Sequence, residues 1–216
     1  MAADPSSEPD LGAQLARAIE SYRATWQPVD SELYDLCRRR PSQRTFADVY
    51  TKVAIIGRVY EAGISRAWRG AGDPETEVTN EVMEQADLIE HALSDLAGHQ
   101  FDRATAAQIV ELHGHVTKSL THRSGGVWLT SFVSKYLHFH CDIVPIYDSN
   151  AQRTIGRFVD RRLVADVRAS MADLPEWARA YLNFVSAFVL LWERIEAETS
   201  IEPSVKEVDH LLWQAA

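Results

Sequence analysis

Between Trp128 and Asn150 the chain gathers side chains that do chemistry: Lys135, His138, His140, Cys141, Tyr147 and Asp148. Plotted on a helix, Trp128, Leu129, Phe132, Val133, Tyr136, Leu137 and Phe139 take roughly half the circumference, and Thr130, Ser131, Ser134 and His138 the other half. Lys135 falls at the boundary. Partial withdrawal from water there lowers an ammonium's pKa and frees an amine nucleophile near neutral pH. The same position also suits a lysine that lays its stem on aromatic surface and keeps its charge in water. Asp148 opens the next helical stretch, where a carboxylate caps free backbone amides. A carboxylate fixed there also stays ionised and can face groups on the preceding helix.

The histidines raise a metal as a further option, since His113, His115, His122, His138, His140 and Cys141 fall close together. Two residues apart on a helix means about 200° of rotation, so neither His113/His115 nor His138/His140 presents both rings from one face. The zinc signatures, two same-face histidines with a glutamate or a Cys-x-x-Cys pair, are absent. The reading is therefore no metal, with a histidine-based metal hydrolase as the weakest alternative.

The elements that position these residues are helices. Leu11, Leu15, Ile19, Tyr22 and Trp26 form an apolar stripe that ends at Pro28, and a short helix from about Ser31 to Arg40 closes at Pro41. A long run from Thr45 to Trp68 carries Phe46, Val49, Tyr50, Val53, Ile56, Tyr60 and Ile64 on one face, with Gly57 and Gly63 marking close packing or a break. Asp73 caps a helix that starts at Pro74 and stops at Gly98. Others span about Thr105 to Thr121 and, after the turn Ser124-Gly125-Gly126, Val127 to His140. Pro145 makes Ile143 to Tyr147 extended, and Asp148-Ser-Asn then caps a helix reaching about Arg162. The last two run from about Pro175 to Glu198 and from the capping box Ser204-Val-Lys-Glu207. No alternating run is long enough for a sheet, and the expected fold is all-α, an irregular bundle of eight or nine helices in one domain, residues 11–216, behind a disordered acidic tail at 1–10.

The composition limits what such a bundle does. A chain of 216 residues supports one core. Cys37 and Cys141 lie far apart, which favours a reducing compartment, and no membrane-length apolar run occurs, so the expectation is a cytoplasmic protein without a membrane partner. A net charge of −9 argues against non-specific coating of nucleic acid. A local basic footprint is still open, through Arg38, Arg39, Arg40 and Arg44 or through Arg153, Arg157, Arg161 and Arg162, although each cluster also suits a solvated helix face.

Ser134-Lys-Tyr-Leu-His-Phe-His140 followed by Pro145-Ile-Tyr-Asp-Ser149 resembles a block of bacterial proteins related to the helix-hairpin-helix DNA glycosylases, in the 8-oxoguanine branch. Val208-Asp-His-Leu-Leu-Trp213 resembles that branch's closing helix. The resemblance covers about 40 residues. It implies a glycosylase-like fold, DNA as partner, no cofactor, and excision of an oxidised or modified purine. Lys135 would attack the sugar carbon and form a Schiff base, with Asp148 orienting it and stabilising positive charge on the sugar. Trp128, His138 or Tyr147 would contact the extruded base. The hairpin at Gly125 and Gly126, with Arg153 and Arg157, would hold the backbone. Aligned on His138-Phe139 instead, the block sets Ser134 where the family lysine stands. The alternative is a non-catalytic module on the same scaffold that binds nucleic acid or another protein.

Overall fold

A computed structural model describes residues 10–171 and 178–216. Of these, 75% are helical and none lies in a strand. Twelve α-helices are seen among the described residues: α1 Leu11–Thr25, α2 Gln27–Arg39, α3 Phe46–Val59, α4 Ile64–Ala67, α5 Pro74–Glu84, α6 Ala86–Leu96, α7 Arg103–Arg123, α8 Thr130–His140, α9 Ser149–Thr154, α10 Arg161–Ser170, α11 Arg179–Glu198 and α12 Val205–Gln214. The expected tail and the expected start at Pro175, with Trp177, lie outside the described residues.

The count exceeds eight or nine because two expected helices each break in two and because α10 begins where the helix from Asp148 was expected to end, near Arg162. The run Thr45 to Trp68 splits into α3 and α4, where Glu61 (φ 47°) and Gly63 (φ 76°) turn left-handed. Gly57 then lets Ile64 pack against α3, for a Cβ there would lie 2.9 Å from the Ile64 Cδ1. Gln85 separates α5 from α6, its side chain held by Glu81 and by Ser119 of α7. A single 3-10 turn, Ile155–Arg157, divides α9 from α10, and Asp160 caps the latter. Pro28, expected as a terminator, sits in the first turn of α2, where its missing N–H costs nothing.

The caps read from sequence form. Asp73 accepts from the Thr76 amide at 2.9 Å, and the Ser204/Glu207 box closes with bonds of 3.2 and 2.9 Å. Asp102 with Thr105 makes a second box at the start of α7.

Helix α8 is the centre of the core. Every residue from Phe132 to Phe139 is buried, packed among α2, α3 and α7. Both of its halves are covered, the polar one included, because the bridge after His140 folds back along it. Ser134 Oγ accepts from the Tyr147 amide at 3.0 Å, and His138 Nδ1 meets the Val144 carbonyl at 2.7 Å. Tyr181 of α11 donates to the Pro145 carbonyl at 2.7 Å and fixes the bridge from its other side. One apolar cluster joins α1 to α12. Among the described residues no helix is long and apolar enough to cross a membrane.

Candidate functional site

The break between α3 and α4 prepares the site. Ending α3 at Val59 leaves the Tyr60 carbonyl without a helical acceptor role, and the Lys135 ammonium donates to it at 3.1 Å. Ser131, one turn earlier on α8, offers its Oγ to the same nitrogen at 3.1 Å. Lys135 is 8% exposed, and that exposure opens into a cleft of about 1450 Å³. Burial lowers its pKa against the opposing pull of Asp148 and Asp209, while Lys206 adds to the lowering.

Asp148 lines the same cleft and also caps α9, accepting from the Ala151 amide at 2.7 Å through Oδ1. The two readings open in the sequence are thus compatible: the cap fixes a carboxylate that faces the lysine's cleft. The pair makes no direct ion pair, and the carboxylate acts on the amine across the cleft.

Trp128 lies just before α8 and, at 48% exposure, forms part of the cleft wall, as does half-buried Tyr147 on the bridge. Edge contacts with Tyr181 and Phe184 hold the Tyr147 ring. Trp213, near the end of α12, faces the cleft at 49% exposure. Its place in the closing motif was visible in the sequence, but its proximity to Lys135 was not. Arg66, Lys118 and Arg179 complete a rim whose cations, with Lys135, outnumber the acids Glu61 and Asp148. That is a local reversal of sign on a chain of −9.

Behind the Lys135 wall lies a charged cluster that sequence periodicity did not reveal. The Tyr60 hydroxyl donates to Asp30 Oδ1 at 2.5 Å. Lys206 sits 3.9 Å from Asp30 Oδ2 and 2.8 Å from Asp209 Oδ2. Asp30 Oδ2 and Asp209 Oδ1 are buried without a hydrogen-bond partner. Burial works against the Lys206 ammonium, but Asp209 and Asp30 outweigh it and raise its pKa; burial pushes the Asp209 carboxyl up. The only sequence signal was charge at Lys206 and Asp209 in a helix whose other face also had to be buried.

Other expected site residues lie elsewhere. His138 is fully buried, with Nε2 2.5 Å from the Tyr34 hydroxyl and Nδ1 on Val144, so no base reaches it; the bridge that covers α8 is the reason. Ser134, the other candidate for the lysine position, is fully buried and bonded to the Ser131 and Tyr147 backbones. Gly125 (φ 74°) and Gly126 (φ 90°) make the α7 to α8 turn outside the cleft wall, and Gly125 packs against the Arg69 backbone, where a Cβ would lie 2.8 Å from the carbonyl carbon. Arg153 bonds Asn150, and Arg157 donates to the Ala215 carbonyl at the end of α12. Arg38, Arg40 and Arg44 pair with Asp35, Asp48 and Asp87.

A second lysine, Lys52, has its pKa lowered to about 8 by burial, but it is sealed in the core on the carbonyls of Arg40 and Ser42 and on Gln43. Lys135 has both the lowered pKa and the opening. No group of three or more His, Cys, Asp or Glu converges on a metal-binding position among the described residues. Comparison with known proteins adds no relative to this geometry: no family model, no curated protein and no solved structure matches the chain.

Proposed function

We propose that the chain is a DNA glycosylase-like enzyme that removes an oxidised or otherwise modified purine, with Lys135 as nucleophile and Asp148 as its carboxylate partner. The observation that carries this reading is the opening of a desolvated lysine and a helix-capping aspartate into one cleft walled by exposed Trp128 and Trp213. An aromatic wall suits a flat base lifted from its stack, and a cationic rim suits the phosphates on either side. The left-handed Glu61 at the cleft wall adds backbone strain of the kind that gathers at working sites.

In the reaction the unprotonated Lys135 amine attacks the sugar C1′. The bond from C1′ to the base breaks, its electron pair leaves with the base, and the base takes up a proton. The Asp148 carboxylate stabilises the positive charge that develops on the sugar. The nitrogen then loses a proton, its lone pair forms the C1′=N bond as the C1′–O4′ bond breaks, and O4′ keeps that pair and takes up a proton, giving a Schiff base. Borohydride reduces that species, so treatment during turnover on a duplex with a modified purine traps a covalent protein–DNA adduct. Lys135→Gln is expected to abolish the adduct in a folded protein. Absence of both adduct and base release from wild-type protein on such duplexes would overturn the reading.

The second reading is a non-catalytic module that uses the same cleft to bind nucleic acid or a protein. The commitment of Asp148 Oδ1 to the cap and the lack of a direct Lys135–Asp148 ion pair favour it. Salt-sensitive DNA binding without any adduct would select it.

A further inference from the structure

The cleft lysine is tied to the buried cluster by an unbroken chain of contacts. The Lys135 ammonium donates to the Tyr60 carbonyl at 3.1 Å, and the Tyr60 hydroxyl donates to Asp30 Oδ1 at 2.5 Å. Asp30 Oδ2 stands 3.9 Å from Lys206, which donates to Asp209 Oδ2 at 2.8 Å. Neither Lys206 nor Asp209 opens into the Lys135 cleft. A core position built for packing alone is better served by apolar residues, because a charge withdrawn from water loses its hydration before any pairing repays it. Here two carboxylate oxygens, Asp30 Oδ2 and Asp209 Oδ1, have no hydrogen-bond donor at all. Hydrogen bonds leave part of the cluster's charge unscreened, and of its members Asp209 and Lys206 act on Lys135 through space.

We propose that Lys206 and Asp209 are positioning residues that control Lys135 from behind: Lys206 repels the ammonium, Asp209 supports it, and their balance decides whether the cleft amine carries its proton. The proposal deepens the glycosylase reading by naming how its nucleophile is regulated. The groups that face Lys135 come from every surrounding element. Lys206 and Asp209 on α12, Asp148 at the cap of α9 and Glu61 after α3 act on it directly, whereas Asp30 of α2 connects to it only through Tyr60. On α7 stand buried His113 and rim Lys118; Arg66 and Arg179 stand on the rim from α4 and α11. Asp148 supports the ammonium from the cleft side, as Asp209 does from behind, and Lys206 is the buried cation that opposes both.

The test needs no nucleic acid. The full chain is treated with trinitrobenzenesulfonate across a pH series, and the Lys135 peptide is followed by mass. Only the unprotonated amine displaces sulfite from the reagent's ring, losing its proton to solvent, so the rate reports the amine's ionisation. Asp209→Asn is expected to move the Lys135 midpoint to lower pH and Lys206→Met to higher pH, each by about half a unit or more. Lys206→Arg restores the wild-type midpoint, because it keeps the charge. If either neutralising variant does not fold, Asp209→Ser and Lys206→Gln carry the same two signs. Folded variants that leave the midpoint in place, or move it in one direction, overturn the proposal. Loss of the DNA adduct from wild-type protein would overturn the glycosylase reading alone, since the labelling midpoints would still shift.

Discussion

At the scale of single residues, the cleft separates side chains that fold the chain from side chains that are free to act. Trp128 and Trp213 are half exposed, and the covered half of Trp213 stacks on buried His210. Each alanine substitution is expected to cost about 1–3 kcal/mol of stability, from the covered half of the ring, and to leave the protein folded. If bases stack there, each weakens binding of an oligonucleotide with a modified purine by about 1–3 kcal/mol, measured by fluorescence anisotropy. Asp148 does two jobs, which two substitutions separate. Asp148→Ala removes the cap and is expected to cost about 0.5–2 kcal/mol in denaturant unfolding. Asp148→Asn caps nearly as well without charge, so adduct formation lost in a stable Asp148→Asn protein assigns the carboxylate to the reaction. Unchanged activity would leave it a cap.

At the scale of elements, α8 is anchored by histidines that fold as neutral rings. His113 of α7 reaches the Thr130 carbonyl at 3.0 Å and stacks on Tyr181, and His138 holds the bridge. Burial pushes both down to about 3 from an ordinary 6.5. Below pH 6.5 the unfolded chain binds protons that the folded chain refuses, so stability falls as pH falls and continues to fall until about pH 3. Each histidine contributes about 1.4 kcal/mol per pH unit in that window, or roughly 5 kcal/mol for the two by pH 4.5. Urea unfolding midpoints between pH 7 and 4.5 are expected to drop steeply, and His138→Gln to flatten the slope. A flat profile in wild-type protein would mean that these rings are not held neutral. The break between α3 and α4 is the second element-scale device, since Gly63 at φ 76° lets the chain turn where the Tyr60 carbonyl is released. Gly63→Ala strains that turn and is expected to cost about 1 kcal/mol.

At the scale of the whole molecule, an acidic chain presents one cleft with a cationic rim, and this changes which arginine matters for an anionic ligand. Arg66 faces the cleft, whereas Arg157 closes the end of α12 on Ala215 and Arg153 bonds its neighbour Asn150. Arg66→Gln is expected to reduce the slope of log binding constant against log salt for duplex DNA by about 0.9, one phosphate contact. Arg157→Gln is expected to leave the slope unchanged and to lower stability instead. Equal slopes for wild type and Arg66→Gln would remove the rim from the binding surface.

The all-helical class, the caps at Asp73, Asp148 and Ser204, and the extended bridge through Pro145 were legible because each rests on local physics: apolar period, cap chemistry and proline's fixed geometry. Lys135 was legible as a boundary lysine for the same reason, since helical angle alone places it between two faces. Burial of the polar face of α8 was not, because a distant stretch covers it and periodicity within one helix contains nothing of its neighbours. That covering turned His138 from an expected base contact into a structural ring. Trp213 reaches the Lys135 cleft, and Asp30, Lys206 and Asp209 gather behind it, through α2 and α12, which are far from Lys135 in sequence, so only tertiary packing brings them together. Local sequence determined which groups were available and where each helix starts; long-range packing decided which of them share one low-dielectric space, where their charges act on one another.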